Sequence, residues 1–326
     1  MARAKRLHRS FLGGEPPSEV GSGIPPLGGI GDFAGRENSQ QKPITEPSNR
    51  LLDPVDFGGI QSDTDNVHMT LPKPNGDFEW TQEAWGPALR CGALSGRHFF
   101  TTRKLELRGA PHETARAWGQ IAETLGVAPE RVQQLRQVHG ASAVEVSPQT
   151  LQGLSQEWPE ADVAISNDPT IGVAVRVADC VPLLLSDPRT GAVAAVHAGW
   201  RGMAAGAPMA AVSALGRTYG VLPADLVAAA GASIGPCCYT VGPELPGQFA
   251  LHPEAPSWFF QDDGLRLDLW RATHDQLRRA GLEEKNIHVS KLCTACHTEL
   301  FCSHRKEKER TGRLAGVIRS AGSRHP

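Results

Sequence analysis

The order of apolar and polar positions divides this chain into a first stretch without pattern and a longer, patterned remainder. Residues 1 to about 76 are rich in Gly, Pro, Ser, Asn and Asp, and no apolar period persists through them. Such a stretch buries too little surface to offset the entropy of ordering it. A disordered Gly/Pro-rich extension is therefore expected over 1–76, with a mis-assigned start codon as the competing explanation. From Asp77 onward strand and helix periods alternate. Arg97 to Arg103 reads as a strand. Pro111 to Leu125 places Ala115, Trp118, Ile121, Ala122 and Leu125 at helical spacing, with Gly126 as the stop. A second short helix is expected from Ala128 towards Gln137. Residues 141–147, 172–178 and 226–232 read as strands, Met203–Tyr219 as a helix that Pro208 kinks or restarts, and Leu269–Gly281 as a helix ended by glycine. Ile287–Ser290 closes the series as a short strand. Strands and helices intermix throughout, which predicts an α/β or α+β fold in a single folded unit over 77–326.

The sharpest local pattern is a hairpin. Val181–Leu185 and Ala192–Val196 are apolar runs joined by Asp187-Pro188-Arg189-Thr190-Gly191, which supplies turn chemistry. Folding about that turn is expected to set Cys180 nearly opposite His197. Opposed residues on antiparallel strands share a face, with Cβ atoms about 5 Å apart. That span suits two ligands of one metal, and equally a Cys–His catalytic pair. With His139, in the loop Val138-His139-Gly140, the set becomes a thiolate and two imidazoles. Zinc accepts these donors, and so does copper. Three protein ligands with an open fourth position would make the site catalytic.

Composition narrows the partners. The 326 residues carry 33 Lys and Arg against 35 Asp and Glu, a formal net charge of −2. No basic footprint for nucleic acid is present, and no run approaches the ~20 apolar residues of a membrane span. The basic N-terminus lacks an apolar run behind it, so a secretory signal is not expected and a cytoplasmic location is. Seven cysteines then read as free or metal-bound thiols in a reducing compartment. Gly235-Pro236-Cys237-Cys238 reads as turn packing, since vicinal cysteines pair poorly. Cys293-Thr294-Ala295-Cys296-His297 matches a haem-attachment string, which the missing export signal argues against. A second zinc site from Cys293, Cys296, Cys302 and His304 is too cramped in its latter half, so these residues are expected to help line the main cleft. Gly199 and Gly202 flank a strand-to-helix turn suited to an anion, with Arg201 as a donor fork. Ser303-His304-Arg305-Lys306 adds basic groups for an anionic substrate.

These motifs, in their order, resemble a known family. Gln137-Val138-His139-Gly140, Ala178-Asp179-Cys180-Val181-Pro182, His197-Ala198-Gly199-Trp200-Arg201-Gly202, Gly231-x-Ser233-Ile234-Gly235-Pro236-Cys237-Cys238-Tyr239, Cys293-Thr294 and Ser303-His304-Arg305 with Thr311-Gly312-Arg313 are similar to the purine nucleoside phosphorylases once called multicopper polyphenol oxidases, or laccase-like proteins. The resemblance spans about residues 77–320. It implies a compact mixed-sheet sandwich flanked by helices, similar to the cysteine-hydrolase toxin deamidases. It implies a zinc ion on His139, Cys180 and His197. It also implies phosphorolysis of adenosine, inosine, guanosine and S-methyl-5′-thioadenosine, with adenosine deamination beside it. Purine nucleosides and phosphate are then the expected ligands. Cys180, His197, Arg201, His304 and Arg305 are the expected catalytic groups, the last three as electrostatic clamps on phosphate. Asp179 is left between orienting a ligand, shuttling a proton and fixing its turn. One departure stands out: Thr101-Thr102-Arg103 runs straight into Lys104–Pro111, without the Gly-Gly-Val-Ser and Asn-Arg segment that many members carry. A cysteine hydrolase built on Cys180 and His197, and a copper phenol oxidase, remain the rival readings.

Overall fold

The computed structural model describes residues 70–153 and 158–323. The extension expected over 1–76 lies outside the described residues up to position 69. In chain order the strands are β1 (Phe78–Glu83), β2 (Gly86–Cys91), β3 (Arg97–Phe100), β4 (Val132–Gln133), β5 (Ala143–Glu145), β6 (Val163–Ser166), β7 (Gly172–Val177), β8 (Val181–Ser186), β9 (Val193–Ala198), β10 (Val227–Ala230), β11 (Phe259–Gln261), β12 (Leu265–Leu267), β13 (Ile287–Val289) and β14 (Leu314–Arg319). The helices are α1 (Pro111–Leu125), α2 (Pro148–Gly153), α3 (Trp200–Ala204), α4 (Ala207–Tyr219), α5 (Leu269–Arg279) and α6 (His304–Glu307).

Two six-stranded mixed sheets form, in the orders β1-β2-β3-β14-β7-β4 and β13-β10-β8-β9-β6-β5, with β11-β12 as a separate ribbon. The sheets face each other. Leu314 and Ile318 of β14 and Val173, Val175 and Val177 of β7 share one core with Leu184, Ala195 and Ala229 of the opposite sheet. Adjacent positions on the same strands point outward. Val317 and Ala315 pack under α1 with Phe99, while Leu183, Leu185 and Val196 pack under α4 and α5. The result is helix, sheet, sheet, helix, with central strands apolar on both faces, which is why β8 reads as an unbroken apolar run. The sheets meet closely around Phe100. A Cβ on Gly231 would lie 2.3 Å from its ring, and one on Gly316 3.3 Å from it.

Several elements match the sequence pattern and several depart from it. Helix α1 occupies the expected span, and Gly126 closes it at φ +72° with its N–H on the Ala122 and Glu123 carbonyls. The helix expected from Ala128 is only a 3-10 turn, Pro129–Arg131. Met203–Tyr219 is two helices rather than one. Gly206 turns left-handed at φ +77° and α4 restarts with Pro208 in its first turn, where a missing N–H costs nothing. Strands β1, β2, β6, β11, β12 and β14 lie where no strand was expected, and β4 lies within the stretch read as a helix.

The β8–β9 ladder pairs Pro182 with His197 and Val181 with Ala198. Cys180 is therefore not opposite His197 but two residues beyond it. The loop sets this slip: the Asp187 carboxylate accepts the N–H groups of Arg189 and Thr190, the Asp187 N–H bonds the Ala192 carbonyl, and Gly191 takes φ +73°. A slip of two keeps every side chain on its expected face, whereas a slip of one would have reversed them all.

Candidate active site and metal centre

Three stretches of chain deliver the donor groups. His197 lies near the end of β9, Cys180 immediately before β8, and His139 in the loop between β4 and β5. One ligand atom from each falls within 4.8 Å of the others. The two imidazoles stand edge to face, centroids 4.7 Å apart.

A buried carboxylate joins two of these stretches. Asp162, just before β6, is fully buried. It accepts the His197 Nδ1 proton at 2.7 Å and the backbone N–H groups of Val138, His139 and Gly140 at 3.2, 3.0 and 2.7 Å. Three successive N–H groups aimed at one anion form a nest, and it holds His139 at φ +62°, a region that costs a non-glycine residue energy. The Asp162 carbonyl also accepts the His197 N–H at 2.8 Å. Burial would raise the Asp162 pKa, but the His197 ring, the Gly140 N–H and the imidazole charge outweigh it and hold the acid below its usual range. With Nδ1 committed to Asp162, Nε2 of His197 is left to face Cys180 and a metal.

Cys180 stands close to a second backbone. A Cβ on Gly199 would lie 2.6 Å from the Cys180 sulfur and 3.5 Å from the His139 ring, so the donors gather only because position 199 has no side chain. Burial opposes ionisation of Cys180, yet the His197 charge and hydrogen bonds from both imidazoles bring the thiol down to about 6. The same coupling lifts His197 to about 9, the attraction to Cys180 and Asp162 exceeding the cost of burial. A soft thiolate, two imidazoles and a carboxylate behind one of them suit a zinc or copper ion.

Asp179 sits at the hinge before Cys180 at φ +83°. Its carboxylate accepts the Thr294 hydroxyl and the Arg305 N–H, each at 2.6 Å, and its carbonyl accepts the Ile234 N–H at 2.8 Å. Both carboxylate oxygens are engaged in tying loops together, which favours the turn-fixing role among those open from sequence.

The donors open into a cavity of about 880 Å³. Arg201, His304 and Arg305 all line it, as the sequence motifs suggested, and so do Arg176 and Arg313, which were not singled out. Arg108 and Arg136 line it as well; among the described residues Arg136 pairs with Glu160 at 2.5 Å, whereas Arg108, Arg176, Arg201, Arg305 and Arg313 have no carboxylate within ion-pair distance. Instead the Arg201 guanidinium covers Trp200 at 4.2 Å, Arg176 covers Trp158 at 4.6 Å, and Arg305 covers Tyr239 at 5.1 Å. Arg305 also donates to the Thr240 carbonyl at 2.7 Å, and Arg313 to the Gly312 carbonyl at 2.9 Å. Burial and the charge of Arg313 lower the pKa of Arg176, the mark of a cation short of an anion. Gln137 fixes the Arg176 backbone from both sides, at 2.7 and 2.8 Å. Burial and the Cys180 charge push the Tyr239 phenol up to about 12, so it is a neutral donor on the wall. The stretch after Arg103, despite its departure from the family pattern, contributes Leu107, Arg108 and Gly109 to the cavity.

Asp162, Arg176 and Arg313 are the groups that sequence reasoning passed over. Arg313 stood inside a quoted motif and Arg176 inside a quoted strand; Asp162 had no spacing to mark it. Two expectations about cysteines need correction. Cys293 and Cys296 do not line the cavity; they gather with Cys237 and Cys238 elsewhere. Cys302 is buried between the sheets, so it joins neither group. The shared motif string hid this, because His304 turns to the cavity while the cysteines before it turn away.

The chain is similar to known proteins over most of its described length. The profile of the family described as multi-copper polyphenol oxidoreductase laccase matches residues 90–321. Purine nucleoside phosphorylase YlmD of Geobacillus stearothermophilus is 35% identical over 207 residues, 61% of this chain and 76% of that protein. Purine nucleoside phosphorylase SCO2081 of Streptomyces coelicolor is 33% identical over 249 residues, 69% of this chain and 96% of that protein. The crystal structure of YlmD from Geobacillus stearothermophilus superposes with a TM-score of 0.68 at 31% identity, covering 74% of this chain and 98% of that one.

Proposed function

Since the chain belongs to the multi-copper polyphenol oxidoreductase laccase family, whose relatives include named purine nucleoside phosphorylases, we propose that it is a metal-dependent purine nucleoside phosphorylase. The observation that carries this reading is the juxtaposition in one cavity of a thiolate–diimidazole donor set with five arginines that have no carboxylate partner among the described residues. Unpaired guanidinium groups are matched to phosphate, and the aromatic faces of Trp158, Trp200 and Tyr239 are matched to a purine and ribose.

In this reading His139, Cys180 and His197 would hold zinc, which would supply Lewis-acid chemistry. Asp162 keeps His197 in the tautomer that presents Nε2. Arg176, Arg201, Arg305 and Arg313 with His304 bind phosphate and offset the charge it carries towards the ribose anomeric carbon. Adenosine, inosine, guanosine and S-methyl-5′-thioadenosine are the proposed substrates, with adenosine deamination as a second activity and the cytoplasm as the site of action.

The cysteine hydrolase deserves a hearing because Cys180, His197 and Asp162 stand in the order nucleophile, base and orienting carboxylate. Copper in place of zinc would be betrayed by its content and by phenol-dependent oxygen uptake. One experiment separates the readings. The untagged protein is incubated with adenosine, with and without phosphate, before and after chelation, and adenine, hypoxanthine and inosine are followed by chromatography. Phosphate-dependent adenine release that chelation abolishes is expected. Activity that survives chelation and dies on alkylation would overturn the phosphorylase in favour of the hydrolase.

A further inference from the structure

Outside the arginine-lined cavity four more sulfur atoms converge. Cys237 and Cys238 lie on the turn that follows β10, and Cys293 and Cys296 on the loop that follows β13. Their sulfurs all fall within 4.8 Å of one another, with Cys296 3.6 Å from Cys237 and 3.5 Å from Cys238. Zn–S bonds of about 2.3 Å in a tetrahedron require sulfurs roughly 3.8 Å apart. A disulfide brings them to about 2.05 Å. The two distances from Cys296 are close to that of the tetrahedron and well beyond that of a disulfide. We propose that Cys237, Cys238, Cys293 and Cys296 bind a second zinc ion through four thiolates, a closed structural site separate from the one at His139, Cys180 and His197.

The surroundings are those of a built site. The two loops are held in register before any ion arrives: Ser233 and Cys293 form a parallel bridge, with Ser233 N–H on the Leu292 carbonyl at 3.2 Å and Thr294 N–H on the Ser233 carbonyl at 3.1 Å. The Gly235 N–H donates to the Cys293 sulfur at 3.2 Å, the kind of contact that supports a metal-bound thiolate. Gly235 itself has no room for a side chain, because a Cβ there would lie 2.6 Å from the Trp270 ring. Trp270 in turn donates from Nε1 to the Ser233 hydroxyl at 2.8 Å. Binding releases one proton from each thiol and leaves a complex of charge −2. The Arg266 guanidinium, bonded to the carbonyls of Pro236 and Cys237 and paired with Asp262 at 3.3 Å, lies beside the cluster. Packing alone accounts poorly for the cluster, since Cys237 and Cys296 are exposed, where a free thiol gains little from burial.

The same loops reach the first site. Ile234, three residues before Cys237, and Thr294, between Cys293 and Cys296, both bond Asp179 at the Cys180 hinge. The second ion therefore clamps the two loops that hold this hinge.

The test counts metal in the full chain purified under reducing conditions from zinc-supplemented culture. Wild type, Cys180→Ala and the double variant Cys293→Ser/Cys296→Ser are compared by elemental analysis. Two zinc equivalents per chain are expected for wild type and one for each variant. Cobalt-exchanged Cys180→Ala should show the intense visible bands and near-ultraviolet charge transfer of a tetrathiolate, whether or not the double variant folds. A Cys180→Ala protein without stoichiometric metal, whose four thiols react at once with a disulfide reagent or are found oxidised, would overturn the proposal. Iron or copper in place of zinc would overturn the assignment of the ion. Neither result depends on nucleoside turnover, so failure here is distinct from failure of the phosphorylase reading.

Discussion

His197 Nδ1 and Asp162 Oδ1 lie 2.7 Å apart with both side chains buried. That bond, together with the three N–H groups Asp162 receives from the His139 loop, makes one carboxylate the organiser of two candidate metal ligands from separate parts of the chain. Asp162→Asn keeps the size of the side chain but offers the His197 ring only one acceptor, and places an N–H₂ group among donors. Metal affinity is expected to fall by about 10- to 100-fold, read by competition with a chromophoric chelator. Unchanged affinity would show that the ligands hold themselves in place.

Gly199 is predicted to be intolerant of a single methyl group. Gly199→Ala would set a carbon 2.6 Å from the Cys180 sulfur and must push the thiolate out of the donor triangle. The protein should fold and fail to retain metal at that site. Gly119→Ala, on α1 with nothing within 4 Å of the new carbon, serves as the contrast. It should load metal normally and gain about 0.5–1 kcal/mol from helix propensity. Equal loading of both variants would contradict the close approach.

Metal-free protein should show an abnormally reactive thiol. The ordinary Cys value is 9.0, and Cys180 lies at about 6, because its thiolate is favoured by the His197 charge and imidazole hydrogen bonds over the cost of burial. The sign follows from the lowered value: stabilisation by the ionised thiol is complete above the unfolded pKa and is lost as pH falls through about 6. His197, raised from 6.5 to about 9, acts oppositely, its contribution vanishing as pH rises through about 9. The pair is thus ionised together between about pH 6 and 9. Iodoacetamide labelling of Cys180 in chelated protein, followed by peptide mass spectrometry, should level off above about pH 6 and be suppressed by added zinc. A midpoint near 9 would refute the coupling.

Arg176 is expected to act on phosphate and to leave the nucleoside almost untouched. Hydrogen bonds to a charged group contribute about 1.5–3 kcal/mol. Arg176→Ala should accordingly raise KM for phosphate by about 10- to 100-fold while KM for adenosine changes little. Arg176→Lys should recover only part of the loss, because lysine cannot present the planar fork. A parallel rise in both KM values would move Arg176 from phosphate binding to general upkeep of the cavity wall.

What the chain disclosed in its sequence depended on the range of the interaction. Helix α1 was visible because its apolar period and its terminal glycine are local signals. The β8–β9 hairpin was visible for the same reason, but its register was read two residues off, since the turn is fixed by side-chain bonds from Asp187 that composition does not rank. Strand β14 went unseen although it lies between β3 and β7 in the first sheet; its two-sided burial removes the alternation that marks a strand. At the site, Cys180 and His197 could be paired because a hairpin joins them. Asp162 could not, for its partners lie 22 to 35 residues away and meet it only through folding. The cysteine tetrad was missed for a related reason: its halves are 58 residues apart, so Cys237-Cys238 by itself looks like turn packing, and Cys293 and Cys296 find no partners in their own neighbourhood.

The Asp162 nest also bears on what happens when metal is scarce. Because its hydrogen bonds come entirely from the protein, the His139 loop and the His197 ring hold their places without help from an ion. On the proposed zinc reading, loss of the ion from this one site would then leave an idle but intact pocket that regains its ion by simple uptake.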